Sequence, residues 1–497
     1  MVGNLLAIVA AAFGGVAWGI LGGALPGISP SITMALLLPF TYGLDSTVAI
    51  VMLASTYVGA EYGGSIPAIL IRTPGTNAAA ATVIDGYAMK QQGRAGEALG
   101  ISLYSGFIGG LFGLVVLVLL TERLSTLALA FTPPAYFALG ILGLSVIAAL
   151  SGESLVKGFM AGVLGLMIAS IGTDPVTGTN RFTFDQPELL SGIPPILVMV
   201  GVYAIAELFA QSADTGWSSA PPERARITMP GPTMWRRIAL PQAIGSVIGT
   251  IEGVVPGGGG TVSSFLAYNE ARRWSRHREE FGHGSPEGIA APEAANNTVA
   301  CTALIPMLSL GIPSSNSAAV LLGGFLVHGL IPGPMLFVQH GEVVRGLYVG
   351  LLIANIAMLI VGYLIMSPCI WVVSRPRPYL TAFIYALVVS GVYSIEGSLF
   401  HVGVALAFGV VGYAMRMWNL PVLPIVLGVV LGFMVESNYR RALVLSGGDH
   451  RIFLQDRISA VLLCVATVFV IGSLIRHAKE RSKSRITNHQ SHMARGQ

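Results

Sequence analysis

Two short polar runs stand directly behind prolines inside otherwise apolar stretches of the chain. Thr76 and Asn77 follow Pro74, and Ser314, Ser315 and Asn316 follow Pro313. Ser29, Ser31 and Thr33 follow a glycine- and proline-bearing break at 23–27. Thr261, Ser263 and Ser264 follow a second break at 253–260. Hydroxyl and amide side chains donate hydrogen bonds in a dry setting without the cost of a buried charge. A broken helix adds free backbone N–H groups and a positive dipole end. Together these groups suit a small organic anion. The competing reading is that each one caps the backbone freed at its own break. Arg72 can clamp a carboxylate through two parallel hydrogen bonds. Alternatively it snorkels to an interface or pairs with an acid.

A second set of residues suits a cation, which needs oxygen ligands. Unwound backbone at Gly27 and Gly257 offers carbonyls, and Asn296 and Asn297 offer amide oxygens. Glu61 and Glu293 read as matched acids of two similar regions. An ionisable group at membrane depth is a functional candidate by default; the alternative is an interfacial carboxylate holding an arginine or a helix start. Asp85 reads as a cap at the start of a charged loop. The histidines form no ligand set. Cys301, Cys369 and Cys464 have neither metal nor redox spacing. An intramembrane enzyme would need a catalytic pair at depth, and none stands at usable spacing. No phosphate-binding loop of the G-x-x-x-x-G-K-[ST] type is present.

The elements that must position these residues are membrane helices. The chain has 497 residues, of which 53% are hydrophobic and 10% charged. Soluble domains carry about 25% charged residues, so much of this surface faces lipid. The 62 glycines and 28 prolines fit membrane helices, whose neighbours re-satisfy freed backbone groups. Candidate spans are 4–24, 48–60, 99–120, 126–150, 155–171, 190–210, 344–366, 380–398, 402–415, 420–435 and 458–475. The formal net charge is +4. Basic residues cluster at 213–237, at 268–288 and beyond 475, which reads as positive-inside topology and not as nucleic-acid binding. The C-terminus is then cytoplasmic. Segment 238–267 lies between two such loops and must enter and leave by one face. Two full spans need about 40 residues, so a re-entrant or broken-helix hairpin is expected. Loop 436–457, with four arginines, resists the alternation.

The two breaks belong to an internal repeat. G-A-L-P-G at 23–27 answers G-V-V-P-G at 253–257, and Pro74 and Asn77 answer Pro313 and Asn316 at one offset. Basic residues follow the first region but not the second, as opposite orientation would produce. The fold class expected is an all-α polytopic membrane protein of two inverted repeats with paired hairpins and Pro/Gly-broken helices. Its divisions are 1–212, a cytoplasmic linker 213–237, a second repeat 238–475 and a basic tail 476–497.

The stretch G-A-L-P-G-I-S-P-S-I-T-M-A-L-L-L-P-F at 23–40 resembles the large membrane subunit of the tripartite tricarboxylate transporters. So do Y-V-G-A-E-Y-G-G-S-I-P at 57–67, G-I-A-A-P-E-A-A-N-N at 288–297 and H-G-L-I-P-G-P-M-L-F at 328–337. The likeness runs to about residue 475. Arg72 and Glu252 depart from the pattern, standing where neutral and apolar residues are expected. The resemblance implies a bacterial inner-membrane carrier importing di- or tricarboxylates by Na⁺ or H⁺ symport. It also implies a small membrane subunit and a periplasmic substrate-binding protein as partners. By analogy alone, the hairpin architecture admits a homodimer of the large subunit with an elevator-like moving domain. Rival readings are an anion channel and a carboxylate carrier that needs no binding protein. No resident cofactor is expected.

Overall fold

The computed structural model describes residues 2–25, 28–128, 130–150, 155–174, 178–213, 226–255, 259–365, 369 and 377–474. They are mostly helical, with one short antiparallel pair, Gly172–Thr173 with Asn180–Arg181. Six helices are long and apolar enough to cross a membrane: Leu5–Gly23, Ala95–Thr126, Gly341–Leu364, Leu399–Met417, Val422–Leu445 and Arg457–Leu474. The chain is an all-α polytopic membrane protein. It divides into two compact units, 1–129 with 194–414 and 130–193 with 415–497, so each unit draws on both halves of the sequence.

The first unit opens with α1 (Val2–Gly23), α2 (Pro30–Leu37), α3 (Ser46–Gly63), α4 (Ser65–Ile71), α5 (Ala80–Gln91) and α6 (Ala95–Ala128). The second unit takes α7 (Pro133–Leu150) and α8 (Leu155–Ala169). The chain returns to the first unit through α9 (Pro195–Met199), a π-helical turn Val200–Ile205 and α10 (Ala206–Ala213). The opening order then recurs as α11 (Pro232–Val254), α12 (Gly259–Trp274), α13 (Pro286–Thr302), α14 (Leu304–Leu310) and α15 (Asn316–Val327). After a short α16 (Pro334–Gln339) comes α17 (Gly341–Leu364). Partner helices match in length: 22 and 23 residues for α1 and α11, 18 and 17 for α3 and α13, 7 for both α4 and α14, 12 for both α5 and α15.

The recurrence has a packing cause. Gly15, Gly19 and Gly23 lie on one face of α1, against the backbone of Met52, Thr56 and Ala60 on α3. Gly245, Gly249 and Gly253 do the same on α11, against Ala291, Ala295 and Thr302 of α13. A Cβ at any of the six would collide with the facing helix. Lipid gives no hydrophobic drive to pair helices, so close backbone approach at small residues does that work. Each repeat then closes on the other. α6 packs on α13 and α17 on α3, while α5 lies against α12 and α13, and α15 against α2 and α3.

Several boundaries differ from the sequence reading. The first hairpin arm, α11, begins at Pro232 and carries Arg236 and Arg237 within the helix. The hairpin is therefore longer than the charge boundaries implied. The break expected near 121–125 falls after α6 instead, because Thr121–Ser125 holds no helix breaker and the next prolines are Pro133 and Pro134. Span 190–210 is interrupted by the π-turn. The start of loop 436–457 is still helix Val422–Leu445. There, within the second unit, Arg440 reaches Asp174 at 2.8 Å and Glu436 at 2.7 Å, and Arg181 reaches Glu436 at 2.7 Å. This four-charge cluster ties the strand pair to that helix, and its carboxylates raise the pKa of the Arg181 guanidinium.

Candidate functional site

Each repeat breaks its helices at one three-way junction, where the end of its first helix, the break after its third and the loop before its fifth meet. In the first repeat these are Gly23, Gly64 and Gly75. The Gly75 N–H donates to the Gly64 carbonyl at 3.0 Å, and a Cβ on Gly75 would strike the Gly23 carbonyl. In the second repeat they are Gly253, Ala303 and Ser314. Here the Ser314 hydroxyl donates to the Gly253 carbonyl at 2.6 Å, with the Ala303 carbonyl at 3.4 Å. A backbone N–H and a serine hydroxyl thus close the same joint. Residue 72 on α4 and residue 311 on α14 both end their helices in the left-handed region, Arg72 at φ 60° and Gly311 at φ 74°.

Hydrogen-bond accounting separates the candidate donors. A hydroxyl has one proton to give. Thr33 gives it to the Ser29 carbonyl at 3.1 Å, Ser263 and Ser264 to the Gly260 carbonyl at 2.9 and 2.7 Å, and Ser314 to Gly253. Ser29 accepts from the Ile32 N–H as the N-cap of α2 and bonds Ser31 at 2.9 Å. Ser315 is the N-cap of α15, accepting from the Ala318 N–H at 3.1 Å. The capping reading therefore describes most of these residues. Thr76 accepts from the Ala79 N–H at 3.4 Å, and among the described residues its hydroxyl proton has no acceptor. Among the described residues none accepts from the amide N–H groups of Asn77 and Asn316, both exposed. Asn316 Oδ1 accepts from the Tyr203 hydroxyl at 3.2 Å. Thr261 is half-buried at the start of α12.

The loops before α5 and α15 each face the opposite repeat. Gly260 lies against Ala78, the neighbour of Asn77, and against Asn296 Oδ1. Ser315 lies 3.4 Å from the Tyr57 hydroxyl of α3. The acids and amides fill the middle. Asn296 Nδ2 donates to Glu61 at 2.9 Å. Ser65 and Thr82 both donate to one carboxyl oxygen of Glu293. Asn297 Nδ2 donates to the Glu293 carbonyl at 3.1 Å. All six residues are buried. Among the described residues Asn296 Oδ1 and Asn297 Oδ1 have no hydrogen-bond partner, and the remaining Glu293 oxygen has at most the Ser102 hydroxyl beside it. These three acceptors stand at i, i+3 and i+4 of α13, one face of one turn. Buried oxygens without donors suit a hard cation or a proton.

Glu61 and Glu293 are not at equivalent positions. Glu61 lies three residues before Gly64 and Glu293 ten before Ala303. Their likeness in sequence came from short A-E and P-E strings, whereas the helix breaks fix the register. Gly27 and Gly257 lie outside the described residues. Arg72 is exposed, its guanidinium 5.8 Å from the Tyr87 ring centre. Ser65, Thr82, Tyr57 and Tyr203 escaped the sequence reading, for they carry no local motif and gain their roles only through cross-repeat contacts.

Asp85 is buried inside α5, not at the start of a loop. Its Oδ1 accepts from the backbone N–H groups of Gly282, Gly284 and Ser285, each at 2.8 Å, and its Oδ2 from the Tyr268 hydroxyl at 2.9 Å. It is a cap, but one supplied by the other repeat to the loop that leads into α13. Among the described residues no three His, Cys, Asp or Glu side chains group as a metal site.

The family model described as the tripartite tricarboxylate transporter TctA family matches residues 9–427. A protein of Agrobacterium vitis, described as an uncharacterized 52.8 kDa protein in the TAR-I ttuC' 3'region, is 38% identical over 465 residues, covering 93% of this chain and 92% of that one. A second from the same organism, described as an uncharacterized protein in the TAR-II ttuC' 3'region, is 36% identical over 231 residues. That match covers 46% of this chain and 94% of the relative. No solved structure matches.

Proposed function

The chain belongs to the tripartite tricarboxylate transporter TctA family, and from that premise we propose that it is the translocating subunit of a cation-coupled importer of small carboxylates. The reading rests on the doubled broken-helix junction, with unpartnered oxygens buried on α13 beside it. A carboxylate would be held by the amides of Asn77 and Asn316 and by Thr76 and Thr261, whose donors are not committed to backbone carbonyls. The coupling ion, Na⁺ or H⁺, would be held by Glu293, Asn296 and Asn297, with Glu61 linked to them through Asn296. Opposite orientation of the two repeats would let such a site open to either side in turn. A small membrane subunit and a periplasmic substrate-binding protein would complete the system, and selectivity would lie largely with the latter.

The test is uptake of labelled citrate and several dicarboxylates by proteoliposomes holding the chain, its small subunit and its binding protein, with an inward Na⁺ or H⁺ gradient. Accumulation above equilibrium that collapses with one of the gradients supports symport. Equilibration indifferent to gradient and partner overturns it and leaves an anion channel.

A further inference from the structure

We propose that the first unit carries a binding cleft for the phosphate headgroup of an anionic phospholipid, at the joint between the start of α6 and the start of α11. The cleft has a volume of about 640 Å³ and is lined by Lys90, Arg94, Arg226 and Thr228, with Met229 and Met234 as an apolar wall. Arg94 is held by Glu97 through two bonds of 2.8 and 2.9 Å and is electrically answered. Among the described residues Lys90 and Arg226 form no ion pair. Arg72 adds a third cation beside the cleft, sharing the Tyr87 ring with Lys90 at 5.8 and 5.9 Å. Among the described residues the lining sets three cations, Lys90, Arg94 and Arg226, against one acid, Glu97, so the cleft is net cationic.

Its neighbours show which anion fits. Trp235, on the first turn of α11, stacks on Tyr104 of α6 at 5.7 Å between ring centres. Amphipathic rings collect at the level of lipid headgroups. Farther along α11, Leu240, Val247 and Ile251 are exposed, and on α6 so are Phe112, Val115 and Leu119. α6 and α11 touch, and both expose apolar side chains beyond the cleft. A free anion would use the cations alone. A phospholipid would use the cations, the apolar wall and the helix faces below it, as basic pockets between membrane helices do.

The test uses the detergent-purified full-length chain and reads lipid binding by native mass spectrometry, with the unfolding midpoint as a second readout. Phosphatidylglycerol, phosphatidylcholine and inorganic phosphate are compared. Phosphatidylglycerol should bind and raise the midpoint, phosphatidylcholine should do so much less, and inorganic phosphate should not displace the lipid. K90Q with R226Q should weaken phosphatidylglycerol about thirtyfold, the loss of two interfacial cations, which is about 2 kcal/mol at 1.4 kcal/mol per tenfold. K90R with R226K, which keeps the charge, should retain binding. Equal binding of the two lipids, or unchanged affinity in K90Q/R226Q, would overturn the proposal. Displacement of the lipid by inorganic phosphate would overturn the lipid assignment in favour of a soluble anion. If K90Q/R226Q does not fold, the wild-type comparison of the three probes decides alone.

Discussion

Replacing Asp85 by alanine removes the acceptor on which the loop 282–285 depends. One carboxylate oxygen takes three backbone N–H groups at 2.8 Å, and the other takes the Tyr268 hydroxyl. Hydrogen bonds to a charged acceptor contribute about 1.5–3 kcal/mol each, and a buried donor left unpaired costs about 1–3 kcal/mol. Water entering the space left by the side chain would recover part of this. A net loss of about 4 kcal/mol is therefore expected, within the range seen when a buried network is cut. Asp85→Asn keeps an amide oxygen facing the three N–H groups but loses the charge and turns a donor NH2 towards the Tyr268 hydroxyl, so it should cost about half as much. The assay is the unfolding midpoint of the detergent-purified protein, followed by fluorescence-detected size exclusion after heating. The expected order is wild type, then Asp85→Asn, then Asp85→Ala, with a separation on the order of several degrees. An Asp85→Ala midpoint equal to that of wild type would refute the reasoning, for it would mean that the loop is held by something else.

Gly288→Ala places a Cβ against Asp85 Oδ2. It should destabilise by about 1–3 kcal/mol as overpacking does, and adding Asp85→Ala should produce less than the sum of the two, which a double-mutant cycle on the midpoint would read. Ser314→Ala leaves the Gly253 carbonyl without its donor and should cost about 1–2 kcal/mol, read by the same midpoint. Arg72 is a non-glycine residue at φ 60°, a conformation costing about 1 kcal/mol, while its cation over Tyr87 returns about 0.5–1 kcal/mol. Arg72→Gly should therefore lie close to wild type and Arg72→Ala below it by about 1 kcal/mol. Equal midpoints for the two variants would remove the backbone argument. Glu293→Gln should leave carboxylate binding within about threefold, near 0.7 kcal/mol at 1.4 kcal/mol per tenfold, yet abolish gradient-driven accumulation. A variant that accumulates substrate like wild type would place the coupling ion elsewhere.

The membrane class and the two breaks were legible because composition and Pro/Gly placement act locally. Pro74 with Asn77 and Pro313 with Asn316 gave the true register of the repeats. The acids misled, because Glu61 and Glu293 resemble each other only in the letters around them. A better signal was present: glycines at 15, 19 and 23 recur at 245, 249 and 253, and this spacing marks the helix–helix seam that builds each repeat. The αL helix ends at Arg72 and Gly311 share the offset of the prolines and would have exposed Arg72 as a backbone oddity before any role in binding. The cross-repeat contacts were not legible. Asp85 holding a loop nearly 200 residues away, or Thr82 and Ser65 serving Glu293, depend on how α5 meets α13, which no local pattern encodes. Hydroxyl roles were equally hidden, since whether Ser314 gives its proton to a carbonyl or to a ligand depends on the Gly253 carbonyl standing 2.6 Å away.

The central claim is that two oppositely oriented repeats present Asn77 and Asn316 to one anion. Cysteine placed at each position in turn, in a Cys464→Ser background that leaves only the buried Cys301 and Cys369, can be labelled with a membrane-impermeant thiol reagent. The measurement is the labelling rate in right-side-out and inside-out vesicles, with and without citrate or a dicarboxylate. The expected result is that the two positions react preferentially from opposite sides and that one and the same carboxylate slows both. Reaction of both from a single side, unaffected by any carboxylate, would contradict the account.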